Sequence, residues 1–249
     1  MSIQVQYLDH MGTDLSVVNA ARTSFGKESE ALTHADINLI RFLATGYRTN
    51  DWQALLDKIT EHAGFREHDN LTALLQAHAR RPQHWAPFAH PHVSIRMTVP
   101  MFLARQLVKH QVGGVWSEES RRYITDEPQF WLPYEWHSRP TDIKQGSGEV
   151  IPNSGGISIE AFRSADVAYN TYRQLLQAGV APEEARIVLP LNTLTTVVWT
   201  GSLLFWSRVY NQRSDGHAQL AAQEFAQKLG AVVAPLFPVS WPALTGGTK

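Results

Sequence analysis

The chain has 249 residues, with 22 lysines and arginines against 23 aspartates and glutamates, and a formal net charge of -1. A hydrophobic content of 43% predicts a folded chain with a sizeable core. The near-zero net charge argues against a general electrostatic binder of polymeric nucleic acid or membranes. The absence of cysteine excludes disulfides, thiolate metal sites and cysteine nucleophiles. Because no secretory signal and no membrane span is visible, we expect a cytoplasmic protein.

The first part of the chain predicts a strand followed by several helices. Residues 4–8 alternate between apolar and polar side chains like a short strand. Helices are predicted to start near Asp14 and near Asp36, with each aspartate as the cap. Two charged, helix-like runs follow at 52–62 and 70–79, and we expect them to lie at the periphery.

The middle of the chain predicts a strand, a short helix and loops. Residues 92–99 alternate and contain β-branched side chains, which favours a strand. Pro100 suits the first turn of a helix, and the glycines at 113–114 are predicted to end it. Residues 115–124 are interpreted as loop or strand. Residues 138–157 are rich in glycine, proline and serine, which is typical of a surface loop.

The last third is predicted to be mostly helical. Helices are expected at 158–177, from Pro182, at 203–212 and at 217–233, with a strand at 193–200. Asp215 is predicted to cap the last of these helices. Because long helices predominate and do not alternate strictly with strands, we predict a single α+β domain. A mixed sheet with long helices packed around it fits better than a parallel series of βαβ units.

A polar cluster follows the helix predicted after Pro100. Arg105 and Lys109 are four residues apart, as are Gln106 and His110, so each pair would share a helix face. The polar run 117–123 comes next. Arginine suits an anion, and amide and hydroxyl groups suit the edge of a heterocyclic base. The alternative is a solvated helix end with a charged loop.

Two further segments contain arginines beside apolar sequence. Arg186 precedes an apolar run that Pro190 ends, and it is either a surface side chain whose stem packs on apolar atoms or an anion ligand. Arg208 and Arg213 lie near the corner between two predicted helices, where a binding site forms easily.

The eleven histidines raise the question of a metal site. His84, His90, His92 and His110 lie close together in sequence, and imidazole suits zinc, copper or iron. No HExxH motif and no convincing carboxylate partner accompanies them. We therefore predict no metal site.

Several blocks in order along the chain resemble the flavin-dependent thymidylate synthases, the ThyX family. The blocks are Ala21-Arg-Thr-Ser24, His84-Trp-Ala-Pro-Phe-Ala-His90, Phe102-Leu-Ala-Arg-Gln106, residues 109–123, Ala185-Arg-Ile-Val-Leu-Pro-Leu-Asn192, Trp199-Thr200 and Asn211-Gln-Arg-Ser-Asp-Gly-His-Ala-Gln219. The resemblance implies one ThyX-like domain over residues 1–249, in which residues 45–80 form a variable helical insertion.

The resemblance implies roles on the nucleotide side of the active site. Six positions match residues that bind deoxyuridylate in the family: Gln106, Glu118, Ser120, Arg122, Arg186 and Arg213. Arg213 also matches the arginine that activates the uracil ring, and His84, matching the histidine before the Pro-Phe-Glu-His block, is given a catalytic role with it. Without cysteine, the ring must be polarised electrostatically, and a permanently charged, forked guanidinium group suits that task.

The flavin side departs from the family pattern. Six positions match the flavin-binding region: Lys109, His110, Gln111, Glu118, Ser202 and Arg208. The family signature is RHR, then seven residues and a serine; here the triplet is Lys109-His110-Gln111, with eight residues before Ser120. Other departures are Ser117, Ser202 and Arg208 at positions where asparagine is common, Ala86 for threonine and Ala89 for glutamate.

The resemblance also implies a reaction and an assembly. The expected reaction is FAD-dependent methylation of dUMP to dTMP, with methylenetetrahydrofolate as carbon donor and NADPH as reductant. The expected assembly is a homotetramer whose active sites are built from several subunits. Two alternatives remain: an enzyme that makes another C5-modified pyrimidine deoxynucleotide, such as the hydroxymethyl product, and a nucleotide-binding relative that has lost catalysis.

Overall fold

A four-stranded antiparallel sheet lies at the centre of the computed structural model, which describes residues 2–46, 84–140 and 146–246. The strands are β1 (Gln4–Met11), β2 (His92–Pro100), β3 (Gly114–Glu118) and β4 (Leu194–Ser202), in the order β1-β2-β4-β3. Every neighbouring pair runs antiparallel. The predicted α+β class is confirmed, but the predicted mixed sheet is wrong. The chain re-enters the sheet at Leu194, beside the end of β2 at Pro100, and β4 therefore runs antiparallel to β2.

Helices surround this sheet in the described ranges. They are α1 (Asp14–Arg22), α2 (His34–Thr45), α3 (Met101–Leu107), α4 (Gly155–Gln177), α5 (Pro182–Ala185), α6 (Leu203–Arg213), α7 (Leu220–Val233) and α8 (Ser240–Thr245). Short 3-10 turns occur at Thr23–Phe25, Ala86–Ala89 and Arg186–Val188. The helices predicted at 52–62 and 70–79, and most of the insertion predicted at 45–80, lie outside the described residues. In the described ranges, no helix has both the length and the apolar character needed to cross a membrane.

The core packs against one face of the sheet. Alternate residues of β2 and β4 point into it and are buried: Val93, Ile95, Met97, Val99, Val197 and Trp199. Trp199 makes edge-to-face contacts with other aromatic rings at centroid distances of 4.9 to 5.2 Å: Trp116, Phe205 and Trp206. Such pairs contribute about 0.5–1.5 kcal/mol each beyond burial. This cluster fixes α6 against β3 and β4.

Glycines permit the close approach of α6 to the sheet. A Cβ atom on Gly201 would lie 2.1 Å from the ring of Phe205, and one on Gly114 would lie 2.6 Å from it. Gly113 has a φ of +89°, which favours glycine. The pair at 113–114 therefore does not end α3, which stops at Leu107. It admits the Phe205 ring and starts β3.

Three aspartates predicted as helix caps have other roles. Thr13 is the N-cap of α1, while Asp14 accepts hydrogen bonds of 2.8 Å from the backbone N–H groups of Val239 and Ser240. Gln219 is the N-cap of α7, which starts later than predicted, and Asp215 instead accepts from the backbone of His217 in the preceding turn. The carboxylates of Asp14 and Asp215 thus accept hydrogen bonds from backbone N–H groups outside the helix that each was predicted to cap. Thr13 and Gln219 occupy the cap positions.

Asp36 lies in the first turn of α2, and Thr33 is the cap. The two residues form a capping box, in which each side chain bonds the backbone of the other. Asp36 is 1% exposed, and it also accepts hydrogen bonds from Arg22 at 3.0 and 2.5 Å and from Ser29 at 3.2 Å. Burial raises the pKa of Asp36, but the hydrogen bonds from Thr33, Arg22 and Ser29 outweigh it and lower the pKa to about 2.

Replacing Asp36 by asparagine should destabilise the fold by about 2–4 kcal/mol at pH 7, because the lowered pKa alone represents roughly 2 kcal/mol and Arg22 would be left without its carboxylate. A lowered carboxyl pKa stabilises the folded state above pH 3.8, and this contribution disappears as the pH falls towards 2. Urea unfolding at pH 7 and pH 3 should therefore show a smaller difference between variant and wild type at pH 3. Asp126→Asn, at an exposed position, is the control. An equal difference at both pH values would contradict this assignment.

Candidate active site

A hydrogen bond between Arg213 and His110 joins two segments that are far apart in sequence. Arg213 ends α6, and His110 lies in the turn after α3, where its backbone N–H donates to Leu107. The Nε–H of Arg213 donates to Nε2 of His110 over 3.0 Å. Because arginine Nε is only a donor, Nε2 of His110 must be unprotonated, and the neutral ring carries its proton on Nδ1.

Burial and charge keep this imidazole neutral. Burial lowers the pKa of His110 to about 4, with a second contribution from the positive charge of Arg213. Burial also lowers the pKa of Arg213, but a guanidinium group stays protonated in proteins. At pH 7 the pair is therefore a neutral acceptor and a cation.

The first cavity beside this pair is cationic. We call it the His110 cavity; it has a volume of about 330 Å³ and is lined by Lys109, His110, Gln111, Val112, Phe205, Arg208, Gln212 and Arg213. Four residues predicted to bind the flavin lie here: Lys109, His110, Gln111 and Arg208. Three of the lining side chains are cations and none is acidic, so the cavity suits an anionic ligand.

Arg213 also lines a second, larger cavity. This Gln106 cavity has a volume of about 810 Å³ and is lined by Gln106, Gly146, Asn211, Gln212, Arg213, Asp215, His217, Ala218 and Gln219. The Oε1 atom of Gln106 is buried and has no hydrogen-bond partner in the described part of the chain. A buried, unpaired polar atom is unfavourable unless a ligand or water satisfies it. Gln106 and Arg213 therefore line one cavity, and the amide oxygen of Gln106 is left without a protein partner beside it.

A separate group of two arginines meets at Glu183, a residue that the sequence analysis gave no role. Arg122 forms an ion pair with the Glu183 carboxylate at 3.1 Å, and Nε of Arg186 donates to the Glu183 backbone carbonyl over 3.2 Å. Arg122 and Glu183 are both about half-exposed. The structure thus brings together two residues predicted to bind the nucleotide.

Glu118 and Ser120 lie on the segment that leads to Arg122. Glu118 ends β3, and its carboxylate accepts hydrogen bonds from Trp116 at 3.1 Å and from Thr195 at 2.9 Å. The Ser120 hydroxyl accepts from the backbone N–H of Arg122 at 3.4 Å. Strand β3 therefore fixes the start of the predicted nucleotide-binding run.

Most of the sequence matches the model of a known protein family. The family model described as "Thymidylate synthase complementing protein" matches residues 6–239. The chain belongs to this family. This confirms the resemblance identified from the sequence blocks.

Curated relatives agree with the family model over most of their length. A flavin-dependent thymidylate synthase of Thermosipho melanesiensis is 29% identical over 92% of this chain and 84% of the relative. One from Kosmotoga olearia is 28% identical over 96% of this chain and 88% of the relative. Among solved structures, the UMP/dUMP methylase PolB from Streptomyces cacaoi, bound with 5-Br dUMP, has a TM-score of 0.77 at 24% identity, covering 98% of this chain and 95% of that one. This likeness shows a shared fold.

Two predicted site residues, Ser202 and His84, line neither of the cavities at Arg213. Ser202 is buried and caps α6, since its hydroxyl accepts from the Phe205 backbone over 3.1 Å. His84 stacks on Phe42 at a centroid distance of 5.4 Å and lines neither the His110 cavity nor the Gln106 cavity. The predicted roles of Ser202 with the flavin and of His84 in catalysis stay predictions.

His84 instead lines a third cavity of about 840 Å³ that the sequence analysis did not anticipate. Its walls are Ala20, Ala21, Arg22, Ser24, Phe25, Lys27, Leu39, Phe42, Leu43, His84, Trp85, Ala86, Pro87 and His90. The cavity joins the block at 21–24 to the block at 84–90. Both blocks belong to the family resemblance, which is the sequence feature that could have indicated this cavity. No role was assigned to the first block.

The imidazole of His110 should stay neutral through the range in which histidines usually titrate, with a midpoint near pH 4. Replacing Arg213 by glutamine should raise this midpoint, because the positive charge disappears while burial continues to disfavour protonation. Arg208→Gln removes another cation of the same cavity and should have a smaller effect. NMR titration of the assigned His110 ring measures all three proteins. A wild-type midpoint near 6.5, or equal shifts in the two variants, would contradict this account.

Proposed function

We propose that this protein is a flavin-dependent thymidylate synthase that methylates dUMP at C5 to give dTMP. The observation that carries the proposal is the position of Arg213, held by His110 and lining both the cationic cavity and the Gln106 cavity. Membership of the thymidylate synthase complementing protein family and the names of the relatives support the same reaction.

Arg213 is the proposed activator of the uracil ring. With no cysteine in the chain, a thiolate cannot add to the ring. A guanidinium group beside N3 and O4 would stabilise the negative charge that develops there when C5 acts as the nucleophile. Because His110 is neutral, it holds Arg213 without cancelling its charge. By comparison with a lost oxyanion donor, this stabilisation is worth about 3–4 kcal/mol.

Arg122 and Arg186 are the proposed phosphate ligands. Each uses its Nε for Glu183, which leaves the terminal guanidinium nitrogens available to a ligand. Two neighbouring arginines suit a phosphate because each guanidinium group can donate two parallel hydrogen bonds. Gln106, Glu118 and Ser120 complete the proposed nucleotide site.

The His110 cavity fits part of an FAD molecule. Lys109 and Arg208 in this cavity suit the flavin's diphosphate. Lys109 keeps one of the positive charges of the family's RHR triplet, and Arg208 adds a cation at a position where asparagine is common. When bound, the reduced flavin would supply a hydride, and methylenetetrahydrofolate the carbon. NADPH is the proposed reductant.

The proposed homotetramer, with active sites shared between subunits, explains why Arg213 is not joined to the two arginines at Glu183. No hydrogen bond or ion pair within the described ranges joins Arg213 to the group formed by Arg122, Glu183 and Arg186. Helix α4 exposes several large apolar side chains that a second copy would cover: Ile157, Ile159, Phe162 and Val167. We therefore propose that subunits complete each other's sites, and that His84 reaches the reaction across such an interface.

Purified protein incubated with dUMP, methylenetetrahydrofolate, NADPH and FAD should produce dTMP, identified by mass. A product heavier by one oxygen atom would replace this proposal with hydroxymethylation. A colourless protein that binds dUMP but takes up no FAD would indicate a binding module without catalysis.

Arg213→Ala should reduce kcat by roughly 100- to 1000-fold while the circular dichroism spectrum and melting temperature stay close to wild type, because the side chain stabilises charge in the transition state. Arg163→Ala is the matched control, since Arg163 is an exposed surface cation paired with Glu160. Activity of Arg213→Ala equal to that of the control would remove Arg213 from the mechanism.

The double variant Lys109→Arg with Gln111→Arg should bind FAD more tightly than wild type. It restores the family triplet and adds a cation and forked donors to a cavity that already suits an anion. Flavin fluorescence titration measures the affinity. No change would show that these two side chains do not face the cofactor.

A further inference from the structure

Arg213 is held at one nitrogen only. Its Nε–H bonds His110, and neither terminal nitrogen has a hydrogen-bond partner within residues 2–46, 84–140 and 146–246. Fixing Nε sets the plane of the guanidinium group, so the two terminal nitrogens form an oriented fork. Since Arg213 lines both cavities, this fork is available to a ligand beside Gln106.

The partner of Arg213 is unusual because it is uncharged. A carboxylate would hold the guanidinium group more strongly, but it would also cancel most of its charge. No acidic side chain in the described ranges forms an ion pair with Arg213. The other charged side chains that line the His110 cavity, Lys109 and Arg208, have the same sign, and Asp215, which lines the Gln106 cavity, forms no ion pair with Arg213. The imidazole therefore orients the cation and preserves its field.

We propose that His110 is the positioning residue for Arg213: by accepting the Nε–H, it turns the terminal nitrogens of Arg213 towards the pyrimidine. This role is separate from any contact of His110 with the flavin. It rests on the proposed function, because it assigns Arg213 to the uracil ring. His110 acts on the pyrimidine through Arg213.

Three substitutions at His110 separate the effects of its acceptor atom, its planar ring and its lack of charge. His110→Gln keeps a neutral acceptor near the Nε2 position. His110→Phe keeps a planar ring and removes the acceptor. His110→Glu keeps an acceptor and adds a negative charge. Each is assayed with FAD at saturation, and FAD uptake is measured separately by flavin absorbance, so that a flavin defect is recognised.

The variants should rank in a definite order. His110→Gln should retain kcat/KM for dUMP within about threefold, whereas His110→Phe should lose about 10- to 100-fold, the value of one hydrogen bond to a charged group. His110→Glu should also lose at least tenfold, chiefly in kcat, because the cation is oriented but neutralised. Equal activity of the Gln and Phe variants at saturating FAD would overturn the proposal. So would wild-type kcat in the Glu variant.

A double-mutant cycle tests whether His110 acts through Arg213. His110→Phe should weaken dUMP binding to the FAD-loaded protein, as measured by calorimetry. In the Arg213→Ala background, the same substitution should have almost no further effect. Additive losses would show that His110 binds the nucleotide by another route and would overturn the proposal.

An NMR measurement distinguishes failure of this proposal from failure of the proposed function. The Nε–H signal of Arg213 should exchange slowly in wild type and in His110→Gln, and it should broaden or vanish in His110→Phe. If wild type neither binds dUMP nor makes dTMP, the function is rejected, and this signal still tests the contact. A slowly exchanging Nε–H in His110→Phe would overturn the positioning role whether or not dUMP binds.

Discussion

The hydrogen bond from Arg213 to the neutral ring of His110 is the interaction on which the proposed chemistry depends. A partly buried guanidinium group is desolvated and needs a partner, and most proteins supply a carboxylate. Here the partner is an imidazole whose pKa is lowered to about 4 by burial and by the cation itself. The arginine is therefore oriented while its charge remains available to a ligand. In the proposed reaction, this charge takes the place of a cysteine thiolate in activating the pyrimidine.

The fold places this pair by bringing α6 close to the sheet. The ring of Phe205 fits over Gly114 and Gly201, where a Cβ atom would clash, and the Ser202 hydroxyl caps the helix. The turn after α3 comes to the other end of α6 and presents His110 to Arg213. The aromatic cluster around Trp199 packs α6 against β3 and β4. The polar contact thus depends on packing that contains no charged group.

Much of the architecture could be predicted from the sequence. The alternation of apolar and polar residues in strands, and the glycines and prolines at the ends of elements, are local signals. The details that failed depend on other parts of the chain. Asp14 resembles a cap in sequence, but it holds the backbone at Val239 and Ser240. The same limit applies to the site. The family blocks predicted which residues belong to it, but not that Glu183 would join Arg122 to Arg186, nor that Arg213 would bond His110, since both contacts arise from tertiary structure.

The most direct test of the central claim is a crystal structure of the FAD-loaded protein with dUMP. It should show a terminal nitrogen of Arg213 within hydrogen-bond distance of uracil N3 or O4, with Nε still bonded to His110. The phosphate should contact Arg122 and Arg186 of the same or a neighbouring subunit. A uracil ring that lies away from every copy of Arg213 in the assembly would contradict the account.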